Sequence, residues 1–419
     1  MSLRLVVLCP HFEPDTAPTG AVMTRIVQEL AALGHEIQVI TALPWYRDHA
    51  IAPGWQGRWI RREATSWGSI TRVNPFPGAN KTNLLRRAGG FGGFTLLAAV
   101  ASLRGGRVDG VLAMSPPLTN GLLGWFIHLV RRGPLVFNIQ DVFPDAAVQS
   151  GAISKDGRKG RMIIAVARSL ERLSYHRSDA VTVLSEDLQA NVAAKVKPNF
   201  VKNVRVIPNF VLTEQLRPLD RLTDYRCEIG IGDEVVVLYA GNVGFSQSLD
   251  LMISAARALP HATFLINGEG VAKAALVAAA GGLANIRFGD YQPIERLPEL
   301  LATGDLHVVP LKTGLGNVSV PSKTYSILAA GRPIVAAIDA GTEVPRILAA
   351  SNAGLAVPPD NADAFVSALA TLIDDPQRRA TMGANGRAWV LQAASPAAVA
   401  RAYAQLFHEV QKRGASPCQ

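Results

Sequence analysis

The sequence predicts an α/β protein of two doubly wound, Rossmann-like domains. Short apolar runs of four to six residues alternate with segments whose apolar residues recur at helical spacing, the pattern of a parallel sheet covered on both faces. The rhythm breaks once, at VIPNFVLTEQL (206–216), and then restarts. A chain of 419 residues exceeds one core at roughly 150 residues per domain, so the break is read as a boundary, with domains at 1–212 and 213–395.

LRLVVL (3–8) is the first buried strand, followed by a Pro- and Gly-containing loop to Gly20. AVMTRIVQELAALG sets Val22, Ile26, Val27, Leu30 and Leu33 at helical spacing and stops at Gly34. HEIQVIT, GVLAM, PLVFNI and AVTVL are the next strands, with helices over 160–174 and 186–195 between them. After the break come VVVLYAG, ATFLING, IRFGD, LHVVPL and PIVAAI, all but the fourth leading into a helix. Only the final RGASPCQ reads as disordered.

Composition narrows the class. Apolar residues are 48% and charged residues 18%, too little charge for a disordered chain. Cys9, Cys227 and Cys418 are odd in number and far apart, which disfavours a disulfide scaffold or zinc module and fits a reducing cytosol. The five apolar residues 5–9 are too few for a signal-peptide core. The uncharged stretches 88–103 and 110–130 are broken by Gly, Pro and polar residues, unlike a membrane span. The net charge of +9 is uneven: residues 1–205 carry 25 basic against 14 acidic side chains (25 − 14 = +11), residues 206–419 carry 17 against 19 (17 − 19 = −2). No nucleic-acid-binding motif accompanies the basic half. Its basic residues adjoin apolar runs, Lys81, Arg86 and Arg87 before 91–103, and Arg131 with Arg132 after 125–130. That arrangement suits an anionic membrane surface; the alternative is core helices with solvated basic ends.

Ligands of parallel sheets bind at the carboxyl ends of the strands, so the loops after strands are the candidate chemistry. Gly20 opens a helix after the first strand, where free N–H groups and the helix dipole favour an anion. In YAGNVG, Gly241, Asn242 and Gly244 allow close backbone approach, with Ser248 or Asp250 beginning the next helix. The spacing is not G-x-G-x-x-G, so a nicotinamide cofactor is not favoured. Gly268 and Gly270 bracket Glu269. After Pro321, Ser322 is a helix N-cap and Lys323 places a cation in a first turn, where cations are disfavoured; a bound diphosphate would remove the conflict. No Asp, Glu or His cluster near these loops has metal-ligand spacing.

The segments PDTAPTGAVMTRIVQELAALGHEIQVIT, IQDVFPD, VIPNFV, YAGNVG, NGEG and VPSKTYSILAAGRPIVA resemble the GT-B retaining glycosyltransferases of family four. QDVFPD and PSKxxxIL are most similar to the colanic-acid-type fucosyltransferase and surface-polysaccharide group. The resemblance spans residues 3–375 and implies two facing domains with the donor held mainly against the second. The final helix, 396–411, would cross back to the first domain. It implies transfer of a sugar from a nucleotide diphosphate sugar to a glycan or lipid-linked acceptor with retention. No cofactor or protein-held metal is expected. From the cysteines and the basic first half, the expected place is cytoplasmic, peripheral on the inner face of the plasma membrane.

Departures from the family pattern qualify the site. Its Glu-x7-Glu pair falls on Val318 and Ser326, the basic pair after the glycine loop on Phe245 to Ser248, and its His-Asp on Gln140 and Asp141. Lys323 is then expected to neutralise the diphosphate, Gly20 and Asn242 to give backbone or amide contacts, and Ser322 and Thr324 to give hydroxyls or N–H groups. Glu343 divides between donor contact and helix capping, Asp141 between loop structure and acceptor contact, Glu269 between donor contact and a solvated carboxylate. Tyr291 divides between stacking on a base and a partly buried structural role. A sugar-nucleotide epimerase and a non-catalytic partner subunit are the alternatives.

Overall fold

In the computed structural model the described residues are 2–47, 49–77, 84–145, 157–315 and 322–415, with the side chains of 84–91, 159 and 414–415 also left aside. Lys81, Val318, Pro321, Cys418 and the side chains of Arg86 and Arg87 lie outside them. The chain forms two compact units, Met1–Asn209 with Pro396–Gln419, and Phe210–Ser395.

The first unit runs β1 (Arg4–Leu8), α1 (Pro18–Ala32), β2 (Glu36–Ala42), β3 (Ile60–Thr65), β4 (Gly68–Val73), α2 (Leu84–Ser102), β5 (Gly110–Ser115), α3 (Thr119–Arg131), β6 (Leu135–Ile139), α4 (Gly157–His176), β7 (Ala180–Val183), α5 (Glu186–Ala193) and β8 (Val204–Val206). The sheet order is β3-β4-β2-β1-β5-β6-β7-β8, parallel except for β3 against β4. Leu5 of β1 pairs with Ile37 on one side and Gly110 on the other. Central strands are covered on both faces, which is why they read as unbroken apolar runs. The β3–β4 hairpin escaped the sequence reading because RREAT is an edge strand with half-exposed, charged positions.

The second unit begins with α6 (Asp224–Glu228) and continues β9 (Val236–Ala240), α7 (Asp250–Ala258), β10 (Thr263–Asn267), α8 (Lys273–Ala279), β11 (Ile286–Gly289), α9 (Leu297–Thr303), β12 (Leu306–Pro310), α10 (Lys323–Ala329), β13 (Ile334–Ala337), α11 (Glu343–Ser351), β14 (Gly354–Val357), α12 (Ala362–Ile373) and α13 (Pro376–Ala393). Its all-parallel order, β11-β10-β9-β12-β13-β14, reverses direction between β9 and β12. Ligands of such sheets sit at this reversal.

The last helix, α14 (Pro396–Ala415), belongs to the first unit. Asn138 Nδ2 donates to the Tyr403 hydroxyl at 2.8 Å, and Gln411 Nε2 to the Asp109 carbonyl at 2.6 Å. A Cβ on Gly110 would lie 2.4 Å from the Phe407 ring, so the absent side chain is what lets this helix lie on the sheet.

One expected surface feature is overturned. Arg131 is buried, and its Nη1 donates to Gln38 Oε1 at 3.0 Å and to the Arg104 carbonyl at 2.9 Å. Its Nε donates to the Gly106 carbonyl. It ties the turn after α2 to the end of α3 and does not form an exposed basic pair with its neighbour; Arg132, in the left-handed conformation that ends α3, is exposed. Among the described residues no helix is long and apolar enough to cross a membrane.

Candidate functional site

The loops at the reversal of the second sheet are stitched together by their backbones. Gly241 N–H donates to the Asn267 carbonyl at 2.9 Å and Val243 N–H to the Glu269 carbonyl at 2.8 Å, joining the loops after β9 and β10. Lys312 N–H donates to the Ser246 carbonyl at 3.0 Å, joining the loop after β12. The glycines make this possible: Gly241 and Gly268 have φ of +138° and +149°, and a Cβ on Gly268 would lie 1.9 Å from the Gly241 carbonyl oxygen.

Lys323 is folded onto this frame. Its Nζ sits 3.9 Å from the centroid of the buried Tyr239 ring, and a Cβ on Gly241 would be 2.9 Å from it. Cation–π attraction holds the ammonium there, while Tyr239 spends its hydroxyl on the Asn242 carbonyl. No carboxylate among the described residues pairs with Lys323. Burial therefore pulls its pKa down to about 7. A lysine at a sheet reversal with no carboxylate partner among the described residues is open to an anion, which would favour its charged form.

The remaining predicted residues divide. Asn242 is exposed on the same loop and Gly244 is buried, its N–H held by Gln247 Oε1 at 3.0 Å. Ser322 occupies the N-cap position of α10, but with helical φ and ψ of −55° and −26° its side chain caps nothing. The Thr324 hydroxyl is wholly buried, without a hydrogen-bond partner among the described residues, so it is not displayed to solvent. Glu269 is held by Lys273 Nζ at 2.7 Å, which also reaches Asp290 at 2.8 Å. Glu343 opens α11, buried and paired with Arg346 at 3.0 Å. Tyr291 is 71% exposed, which removes the buried structural role. Asp250 is the first residue of α7, and Ser248 turns its hydroxyl to Asp360.

Gly20, Gln140 and Asp141 lie on the first unit. The helix opens at Pro18, two residues earlier than expected, and Gly20 is a buried first-turn position. A Cβ there would meet the Cβ of His11 at 2.9 Å, so the glycine lets α1 press against the loop after β1. Gln140 is used up internally: Nε2 donates to Asn138 Oδ1 at 2.8 Å and Oε1 accepts from Asn209 Nδ2 at 2.9 Å. It braces the network that holds Tyr403 and is not turned to a substrate. Asp141 is exposed.

The sequence reading passed over Lys312. It is exposed two residues past β12, with its backbone fixed to the glycine loop, and it adds a minor share to the lowering of the Asp360 carboxyl's pKa, which hydrogen bonds from Ser248 and Thr313 chiefly cause. Its position just beyond a strand at the reversal was the available signal. Among the described residues no group of three metal-ligating side chains occurs.

Comparison with known proteins agrees with this layout. Residues 19–209 match the glycosyl transferase 4-like domain and residues 234–375 the glycosyl transferases group 1 domain. The chain is 28% identical over 382 residues to the putative colanic acid biosynthesis glycosyl transferase WcaI of Escherichia coli, covering 88% of this chain and 91% of that one. It is 30% identical to the probable glycosyltransferase WbjE of Pseudomonas aeruginosa, over 72% of this chain and 74% of that one. The fold matches that of HepE from Anabaena, solved with UDP and glucose, with a TM-score of 0.60 at 14% identity, over 97% and 99% of the two chains. Both units are thus the Rossmann-like units of the GT-B fold.

Proposed function

Because the chain belongs to the glycosyltransferases that join a glycosyl transferase 4-like domain to a group 1 domain, we propose that it moves a sugar from a nucleoside diphosphate sugar to a glycan or lipid-linked hydroxyl in surface-polysaccharide or glycolipid assembly. The observation that carries the donor class is Lys323, a cation without a carboxylate partner among the described residues, set against the glycine loop at the sheet reversal. The UDP complex of the fold relative and the colanic acid name of the sequence relative support the same reading, and fucose remains a candidate sugar.

The reaction proceeds with retention. The bond from the anomeric carbon to the phosphate oxygen breaks, the acceptor oxygen bonds to that carbon on the same face, and the acceptor proton passes to the leaving phosphate. Lys323 balances the charge growing on the diphosphate, and the exposed Asn242 amide on the neighbouring loop is the further donor; Gly241 and Gly244, whose N–H groups are spent on Asn267 and Gln247, shape that loop. Gly20 holds the helix start of the first unit close to its loop. Tyr291, exposed beyond β11, offers a ring to the base.

The test is release of nucleoside diphosphate from a panel of GDP- and UDP-sugars, with the anomeric configuration of the product read by NMR. One donor is expected to turn over, with retention and equally well in EDTA, since no metal site is expected. An inverted product, or activity lost in EDTA and restored by Mg²⁺ or Mn²⁺, contradicts the leaving-group account; no turnover of any donor contradicts the transferase reading.

The proposed place of action is the inner face of the plasma membrane, through α4. This helix has three stripes: Ile164, Ala167 and Glu171 buried, Met162, Val166 and Leu173 exposed at 63%, 64% and 41%, and Arg158, Arg161 and Arg172 exposed. An apolar stripe beside a basic one is the form of an interfacial helix, and each basic residue near an anionic surface contributes about 1 kcal/mol. Phosphatidylglycerol vesicles should sediment the protein more than phosphatidylcholine vesicles do, less so at high salt, and Val166→Asp should abolish the effect. Equal recovery with both lipids, or an unaffected variant, rejects docking through α4.

A further inference from the structure

We infer that the amino-terminal edge of the first sheet carries a second anion site, in which Arg62, Arg104, Arg107 and Arg131 receive a phosphate-bearing ligand. A cavity of about 450 Å³ opens there, between the first residues of β1, β2 and β4 and the turn that follows α2. It lies at the opposite end of these strands from the loop that meets Gly20, and on a different unit from Lys323. Its volume is in the range of small-molecule sites.

Three features make it an anion site. The first is Arg131 itself, only 5% exposed, whose cation is met by the carbonyls of Ser102, Arg104 and Gly106 and the Gln38 amide and by no carboxylate among the described residues. Its Nη2 has no protein partner among those residues. A buried cation balanced by carbonyl dipoles alone is costly, and both burial and Arg4 push the guanidinium's pKa below its usual range. The second is the wrapping of the loop: Gly105 has φ of +109°, and a Cβ there would strike Nη2 at 2.6 Å, so a backbone without a side chain is needed to hold the group at the cavity wall.

The third is the charge balance. Five arginines line the cavity against one carboxylate, Glu36, which is exposed (5 − 1 = +4). Arg4 is shared with Asp109 at 3.7 Å, whereas Arg62, Arg104 and Arg107 are exposed without a carboxylate partner among the described residues. Ser69 and Thr71 add hydroxyls to the wall. Planar guanidinium forks suit phosphate oxygens, which accept paired N–H donors. The ligand is a soluble phosphate ester or the head group of an anionic phospholipid, and the two share this chemistry.

The test is calorimetric titration of the full chain with inorganic pyrophosphate. Lys323→Ala, which disables the loops of the second unit, is expected to retain pyrophosphate binding. Adding Arg62→Ser and Arg107→Ser, both exposed and outside any core, should weaken that residual binding at least tenfold while melting temperature stays unchanged. Phosphatidylglycerol vesicles that displace the residual pyrophosphate identify a head group, and failure to displace it identifies a soluble ester. Absence of binding in the Lys323→Ala protein, or residual binding indifferent to the two serines, overturns the site. None of these outcomes depends on whether the chain transfers a sugar.

Discussion

Replacing Lys323 by alanine is expected to weaken nucleoside diphosphate binding roughly tenfold to a hundredfold, the equivalent of a charge-assisted contact of about 1.5–3 kcal/mol. The measurement is calorimetry at pH 6.5, on the acid side of the Lys323 pKa, where the charged form is favoured. Burial holds the ligand-free pKa at about 7, below the ~10.4 of an unfolded lysine. Between those values the folded chain binds fewer protons than the unfolded one, so this group's contribution to stability rises with pH across that window. Lys323→Met, which keeps the aliphatic stem and removes the cation, should therefore melt no lower than the parent at neutral pH. Ligand binding runs the other way. A bound diphosphate favours the charged form, so affinity is full below about pH 7 and falls by up to tenfold per unit above it. The alanine protein should lose that slope. Equal affinity at pH 6.5, or a slope that survives the substitution, would take Lys323 out of the site.

Gly268→Ala should be as damaging for a different reason. At φ +149° a side chain is strained, and the new Cβ would be placed 1.9 Å from the Gly241 carbonyl oxygen. Both obstacles are backbone, so no rotamer change relieves them. Strain of about 1–2 kcal/mol and overpacking of about 1–3 kcal/mol together lower the melting temperature by on the order of 10 °C. The loops after β9 and β10 must separate, so nucleotide binding should fall below detection even in protein that remains folded. A variant that binds nucleotide and melts like the parent would show that these loops do not need their close contact.

The parts of this site legible in sequence were those with local signatures. A cation in a first helical turn marked Lys323, and glycines just past two apolar runs marked the paired loops. Strand adjacency then explains why they bond to each other, since β9 and β10 are neighbours in register, Ala240 beside Asn267. What stayed hidden was the company kept by side chains across long separations. Nothing near Lys323 announces Tyr239, and nothing near Gln140 announces the chain of amides ending at Tyr403. Arg131 ends an apolar run, and such arginines ordinarily cap a helix in solvent; its turn toward the carbonyls of 102–106 depends on Gly105, whose value is apparent only with the loop in place. Ser322 had the residue type of a cap but not the extended backbone one requires.

The placement of α14 bears on how the chain is made. The second unit is one uninterrupted stretch, whereas the first is split, with the whole of Phe210–Ser395 inserted before its last helix. Synthesis delivers residues in order at about 5–20 per second, so the inserted unit has its full sequence while its predecessor still lacks Tyr403 and Phe407. Until those arrive, the place of the Tyr403 hydroxyl beside Asn138 and the gap above Gly110 stay unfilled. The first unit is thus completed last although it is begun first, and nascent chains stalled before Pro396 should expose its sheet to proteases and chaperones while the inserted unit already resists them.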